Sequence, residues 1–151
     1  MADSSTADEL AIRALVHRYS DAVVRRDEAA WAETWAEDGE WHIMGRPTKG
    51  RDEVVALWRT LMSGFPFVVQ IPGSGVIELA GDQATGRWSM TEHGRGPGGT
   101  GMLTLGLYRD SYSRIRGEWR FARRRFDPMY MGPADLSAEP LQIPADEEGS
   151  A

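Results

Sequence analysis

Residues 75–93 read GVIELAGDQATGRWSMTEH, and their pattern decides the fold class. Ala84, Gly86, Trp88 and Met90 form a small and apolar set at every second position, while Arg87, Ser89, Thr91 and His93 occupy the alternate places. A period of two is that of a half-buried strand, and AGD is the turn that joins it to the strand before it. The same period recurs in both directions from this hairpin. Strands are expected at 67–71, 75–80, 84–93, 101–112 and 118–126, separated by PGSG, AGD, GRGPGG and IRG.

Toward the N-terminus the period changes to that of a helix. Ile12, Leu15, Val16, Tyr19 and Val23 follow the spacing of one buried helical face, which predicts a helix over 8–26. Asp27 can cap a second short helix over 28–37, with Ala30, Trp31, Thr34 and Trp35 turned inward. EWHIMG then reads as a short strand, and GRDEVVALWRTLMSGF as a third helix ended by Gly64 and Pro66. Three helices followed by hairpin-linked strands imply an α+β fold, with the helices packed on one face of a curved, mostly antiparallel sheet.

Composition narrows the function classes. The 151 residues suit one domain with a sizeable core, and the absence of cysteine excludes disulfides, thiolate catalysis and Cys-ligated metals. The net charge of −6 is not evenly spread: from Asp127 onward there are six acids and no bases, which leaves 17 acids against 17 bases in residues 1–126. A formally neutral body argues against nucleic acid as a partner. No apolar run reaches the roughly 20 residues of a membrane span, and the polar start MADSSTADEL lacks the features of a signal peptide. A cytoplasmic protein is expected, with a flexible stretch over 1–8, a folded domain over 9–136 and an acidic tail over 137–151.

A helix-covered curved sheet encloses a cone, so polar residues in an apolar register are the informative ones. Glu92 continues the Trp88–Met90 register. Inside the cone it would be a carboxylate with a raised pKa, able to act as acid or base; at a strand end it would simply meet water. Tyr19 lies on the apolar stripe of the first helix, as either a pocket phenol or a core tyrosine whose hydroxyl reaches the backbone. His17, His42 and His93 show no metal-ligand spacing, so no metal is expected. GRGPGGTG has neither the following helix nor the Lys-Ser/Thr of a phosphate loop and reads as a hairpin loop. In RIRGEWRFARRRF the arginines alternate with Trp119, Phe121 and Phe126, as on a solvated strand with one arginine free to face inward.

Three segments, IRALVHRYSDAVVRRDEAAWAETWAEDGEW, GVIELAGDQATGRW and GLYRDSYSRIRGEWRFARRRF, together with the closing FDPMYMGPADLS, resemble the SnoaL-like families of the nuclear transport factor 2-like superfamily over about residues 9–136. The resemblance implies a cone-shaped α+β barrel that forms homodimers or homotrimers. It also implies cofactor-independent acid–base chemistry on a small hydrophobic substrate, polycyclic or polyketide- or steroid-like, as in scytalone dehydratase, bile-acid 7α-dehydratase and polyketide cyclases. On this likeness Tyr19 matches a helix tyrosine used by related enzymes, Trp41 a pocket wall and Arg124 a pocket arginine. Tyr108 and Asp110 fall in the GLYRD strand, whose aromatic position lines the pocket.

The departures bear on mechanism. The dehydratases and dehydrochlorinases of the superfamily pair a helix aspartate with a sheet histidine. Here those positions fall on Val24 and near Gln70, so that dyad is absent. The base position of the related ketosteroid isomerases falls on Ile43, while a second histidine of the scytalone enzyme lies near Glu92 and His93. The expectation is therefore a dehydratase, isomerase or cyclase in which Tyr19 donates to a developing oxyanion, Glu92 or His93 moves the proton and Arg124 stabilises negative charge. Trp41, Gln70, Trp88, Met90, Tyr108, Asp110 and Val24 are expected around the substrate. The alternatives are a non-catalytic binding or oligomerisation domain of the same fold and, more weakly, an accessory subunit resembling the β subunit of ring-hydroxylating dioxygenases.

Overall fold

The computed structural model describes residues 4–135. The acidic tail expected over 137–151 lies outside the described residues. The first helix, α1, runs Ser4–Arg25, and its buried residues include Ile12, Leu15, Val16, Tyr19 and Val23. It begins at Ser4, earlier than the expected helix over 8–26. Within its first turns Asp8 ties it to the sheet, Oδ1 accepting from Arg114 Nη1 (2.7 Å) and Trp119 Nε1 (3.0 Å).

Asp27 caps the second helix, α2 (Glu28–Ala32), by accepting from the Ala30 N–H. This helix is shorter than expected. Thr34 turns back to donate its hydroxyl to Trp31 O at 2.7 Å, and Trp35 then pairs with Phe121 in the sheet. Trp35 is therefore the first residue of β1 (Trp35–Ile43), which a short strand, β2 (Arg46–Lys49), follows before the third helix, α3 (Arg51–Ser63). The four remaining strands are β3 (Phe67–Ala80), β4 (Gln83–Arg95), β5 (Gly101–Ile115) and β6 (Glu118–Pro133).

The six strands form one sheet in the order β2-β1-β6-β5-β4-β3, antiparallel throughout except for the parallel β1–β6 pair. Two expected strands, 67–71 and 75–80, are one strand bent in the middle. The β3–β4 register shifts between Pro72 and Gly75, which places one extra residue in β3. Such bulges bend a strand and increase its twist, and they let this sheet curl round the helices. Gly75 faces the Trp88 ring so closely that a Cβ there would lie 2.3–2.5 Å from three ring atoms. Gly75→Ala is expected to destabilise the fold by about 1–3 kcal/mol, because neither bent backbone nor buried indole can yield; chemical denaturation at neutral pH measures this.

Bulges in β6 set which side chains reach the interior. Tyr112 pairs with Phe121 and Ser111 with Arg123, so Ala122 is an extra residue that flips the parity of everything after it. Without that insertion Arg123 and Arg125 would share the face of Phe121. With it, Arg124 is fully buried while Arg123 and Arg125 are exposed. A second shift beside Leu105/Gly106 carries the strand past Pro128, and β6 continues to Pro133 where the sequence pattern ends it at 126.

Candidate active site

A cavity of about 270 Å³ opens between α1, α3 and the inner face of the sheet. Its wall is largely apolar, with Trp41, Trp58, Leu61, Met62, Phe65, Val68 and Phe126 prominent. Polar atoms enter it at few points: Tyr19 from α1, Gln70 from β3, Glu92 from β4, and Thr104 and Tyr108 from β5. The sheet register explains the last four. Gln70 lies opposite Glu92 and Glu92 opposite Thr104, so three polar side chains from adjacent strands project inward side by side. At the rim Arg26 donates to the carbonyls of Met62 (2.5 Å) and Phe65 (2.7 Å), tying the end of α1 to that of α3.

Glu92 is the charged residue of the wall. Burial pushes its carboxyl above the ordinary pKa, and the Gln70 amide, donating Nε2–H to Oε2 at 2.9 Å, offsets part of the rise. A carboxylate so tuned is nearer the range where it can both take and return a proton. Tyr19 and Tyr108 are buried side by side, their ring centroids 6.1 Å apart and set edge to face. Burial raises both phenols, Tyr108 the more. Arg124 draws both back, while the neighbouring Tyr19 pushes Tyr108 further up.

Arg124 stands behind this pair. Its guanidinium carbon lies 3.8 Å from the Tyr108 ring centroid, 4.3 Å from that of Tyr19 and 4.4 Å from that of Phe121. Its Nε donates to Asp110 Oδ1 at 3.0 Å, and both side chains are fully buried. The other carboxylate oxygen of Asp110 accepts from the Tyr112 hydroxyl at 2.7 Å, which in turn accepts from Trp88 Nε1 at 2.9 Å. Burial raises the Asp110 carboxyl, while Arg124 and Tyr112 draw it back toward ionisation. Burial also works against the charge on Arg124, but Asp110 and the phenols outweigh it and leave the guanidinium held firmly charged.

The structure thus brings Tyr19, Trp41, Gln70, Glu92 and Tyr108 to one cavity. Other expected site residues lie elsewhere. His93 points to the opposite face of β4 from Glu92, as strand alternation requires, and does not line the cavity. Val24 is half-buried off the cavity; its neighbour Val23 lines it. Trp88 and Met90 are buried in the core beyond the cavity, and Asp110 and Arg124 form the layer behind the phenols. Ser20 escaped the sequence reading, although it occupies the i+8 place from Ile12 on the apolar stripe. It is buried and donates its hydroxyl to Gln70 Oε1 at 3.1 Å. No group of three or more His, Asp or Glu placed to hold a metal ion occurs among the described residues.

Comparison with known proteins agrees with this architecture. The chain is 29% identical over 149 residues to the gamma-hexachlorocyclohexane dehydrochlorinase of Sphingobium indicum, covering 85% of this chain and 88% of that enzyme. The crystal structure of a type 2 hexachlorocyclohexane dehydrochlorinase superposes with a TM-score of 0.84 at 24% identity, over 92% of this chain and 97% of the other. A type 3 enzyme from Novosphingobium barchaimii gives 0.81 at 22% identity, over 93% and 97%. The model of the SnoaL-like domain matches residues 4–125, from the first described turn of α1 to the arginines of β6. A cone of three helices on a curled six-stranded sheet, matched over most of its length, places this chain in the SnoaL-like domain family of the nuclear transport factor 2-like superfamily.

Proposed function

We propose that this protein is a cofactor-independent acid–base enzyme of the lyase or isomerase type, with Glu92 as the proton-moving group and Tyr19 as the oxyanion donor. The observation that carries the reading is the placement of a buried carboxylate and a hydroxyl pair, backed by a buried cation, around one apolar cavity. In the proposed step the Glu92 carboxylate takes a proton from the carbon next to a carbonyl. The electron pair of that C–H bond becomes the C=C bond of an enolate, and its oxygen accepts from Tyr19. Tyr108 packs beside Tyr19 over the same Arg124 guanidinium and supports the Tyr19 phenol from the β5 side. For elimination, the enolate re-forms the carbonyl as a hydroxyl leaves the β-carbon, taking the proton from Glu92 and departing as water. For isomerisation, the same proton returns to a different carbon.

The wall also favours one kind of substrate. Among the described residues that line it there is no lysine, arginine or histidine, so a carboxylate or phosphate on the ligand would meet no counter-charge. The reading is therefore a neutral, apolar ring compound. The related dehydrochlorinases are named for a halogenated ring compound, likewise without charge.

Turnover of neutral hydroxylated and enone ring compounds, from one ring to four, is the test. Tyr19→Phe is expected to lower kcat by about 10²-fold, the effect typical of one lost oxyanion donor, and Tyr108→Phe by about tenfold through its support of Tyr19. Full activity of Tyr19→Phe and Glu92→Gln on a turned-over substrate would overturn the assignment. Tight binding with no turnover across the panel would favour the alternative, a ligand-binding member of the fold.

A further inference from the structure

Glu92 does not stand alone on the sheet. Its Oε2 accepts from Gln70 Nε2 at 2.9 Å, and Gln70 Oε1 accepts from Ser20 Oγ at 3.1 Å, so one chain of hydrogen bonds links α1, β3 and β4. Ser20 and Gln70 are both buried. We propose that Ser20 and Gln70 are positioning residues which fix the orientation of the Glu92 carboxylate and hold its ionised form within reach.

The chemistry of the amide makes Ser20 necessary. A glutamine side chain presents a donor at one end and an acceptor at the other, and only the donor end supports a carboxylate. Turned the other way, Gln70 would set a carbonyl oxygen against Glu92 and oppose its ionisation. The Ser20 hydroxyl, donating to Oε1, selects the supportive orientation. One carboxylate oxygen is thereby occupied, and Oε1 of Glu92 is left for the cavity. The cross-strand pairing of Gln70 with Glu92 supplies the short reach, and Ser20 supplies the polarity.

Among the described residues, the other elements round Glu92 do not supply a competing cation. Tyr19 faces it from α1 and Tyr108 from β5, both neutral phenols; Thr104 is its β5 neighbour; Leu61, Met62 and Phe65 close the cavity from the α3 side; and Arg124 of β6 lies behind the phenols. Gln70 is the group that acts against burial at this carboxyl.

The role of Glu92 in turnover rests on the proposed function, but its orientation is measurable without a substrate. The Glu92 side-chain carboxyl carbon is followed by ¹³C NMR as the pH is raised, in the folded full-length chain. Gln70→Leu is expected to raise the carboxyl pKa by about one unit, the scale set by loss of one hydrogen bond to a charged group. Ser20→Ala should raise it in the same direction by a smaller amount, and Ser20→Thr, which keeps the hydroxyl, should restore the original titration. A Glu92 titration unchanged in both Gln70→Leu and Ser20→Ala, with folding confirmed by the same spectra, would overturn the inference. The shifts appearing without any turnover would leave the positioning intact and count against the acid–base function alone.

Discussion

Glu92→Gln is expected to lower kcat by about 10²–10⁴-fold, the range for loss of a positioned general base, while making the protein more stable at neutral pH. The two effects have one cause. Burial raises the Glu92 carboxyl above the value of 4.5 that it has in the unfolded chain. Between those two values the folded state keeps a proton that the unfolded state has released. Stability therefore falls as pH rises through that window, and the loss is complete above the folded pKa. Glutamine keeps the shape and the contact with Gln70 but has no charge to desolvate. Between about pH 4 and pH 8 the wild type should lose more stability than Glu92→Gln, since Asp110 and the other shifted carboxyls contribute to both alike and only Glu92 differs. A stability–pH slope equal in both proteins would mean that Glu92 is solvated, and the case for it as the base would fall with it.

The fold was legible because its two periods are clean. Ile12 to Val23 mark a helix face, and Ala84 to Met90 mark a strand face, with the turns between them written in glycine and aspartate. The boundaries were less legible where tertiary contacts overrode local pattern. Trp35 fits the apolar side of a helix, yet the pairing with Phe121 draws it into the sheet. Asp8 looks like part of a polar lead, and nothing in the local pattern shows its contact with Arg114 and Trp119, more than 100 residues away.

The site was legible in part, and for the same reason. Glu92 stands out because it continues an apolar register. Tyr19 stands out because it interrupts an aliphatic stripe. Arg124 could not be told from Arg123 or Arg125 by alternation, since the extra residue at Ala122 reverses the parity and leaves no mark in composition. His93 and Glu92 are neighbours in sequence but face opposite sides of the strand, so proximity along the chain misled where register decided. Val24 was expected at the pocket, while the cavity itself is lined one residue earlier, by Val23.

Asp110→Ala should be the most destabilising single change near the site, costing about 3–5 kcal/mol because it strands the Arg124 charge in the interior. For a chain of this size that corresponds to a fall in Tm of roughly 10 °C. The guanidinium would keep its contacts with three aromatic faces, but its Nη1 and Nη2 already have no hydrogen-bond partner among the described residues. The Tyr112 hydroxyl would lose its acceptor at the same time, and through it the Trp88 link. A large loss on its own would not distinguish a structural pair from a functional one. The paired variant Asp110→Leu with Arg124→Met does so. Removing both charges together leaves no uncompensated ion, so most of the stability should return. Activity should not return with it, because the cation that lowers the Tyr19 phenol relative to burial alone is gone, and kcat should stay more than about tenfold below wild type. If the refolded double variant recovered full turnover, the buried pair would be a structural element only, and Tyr19 would act without the charge behind it.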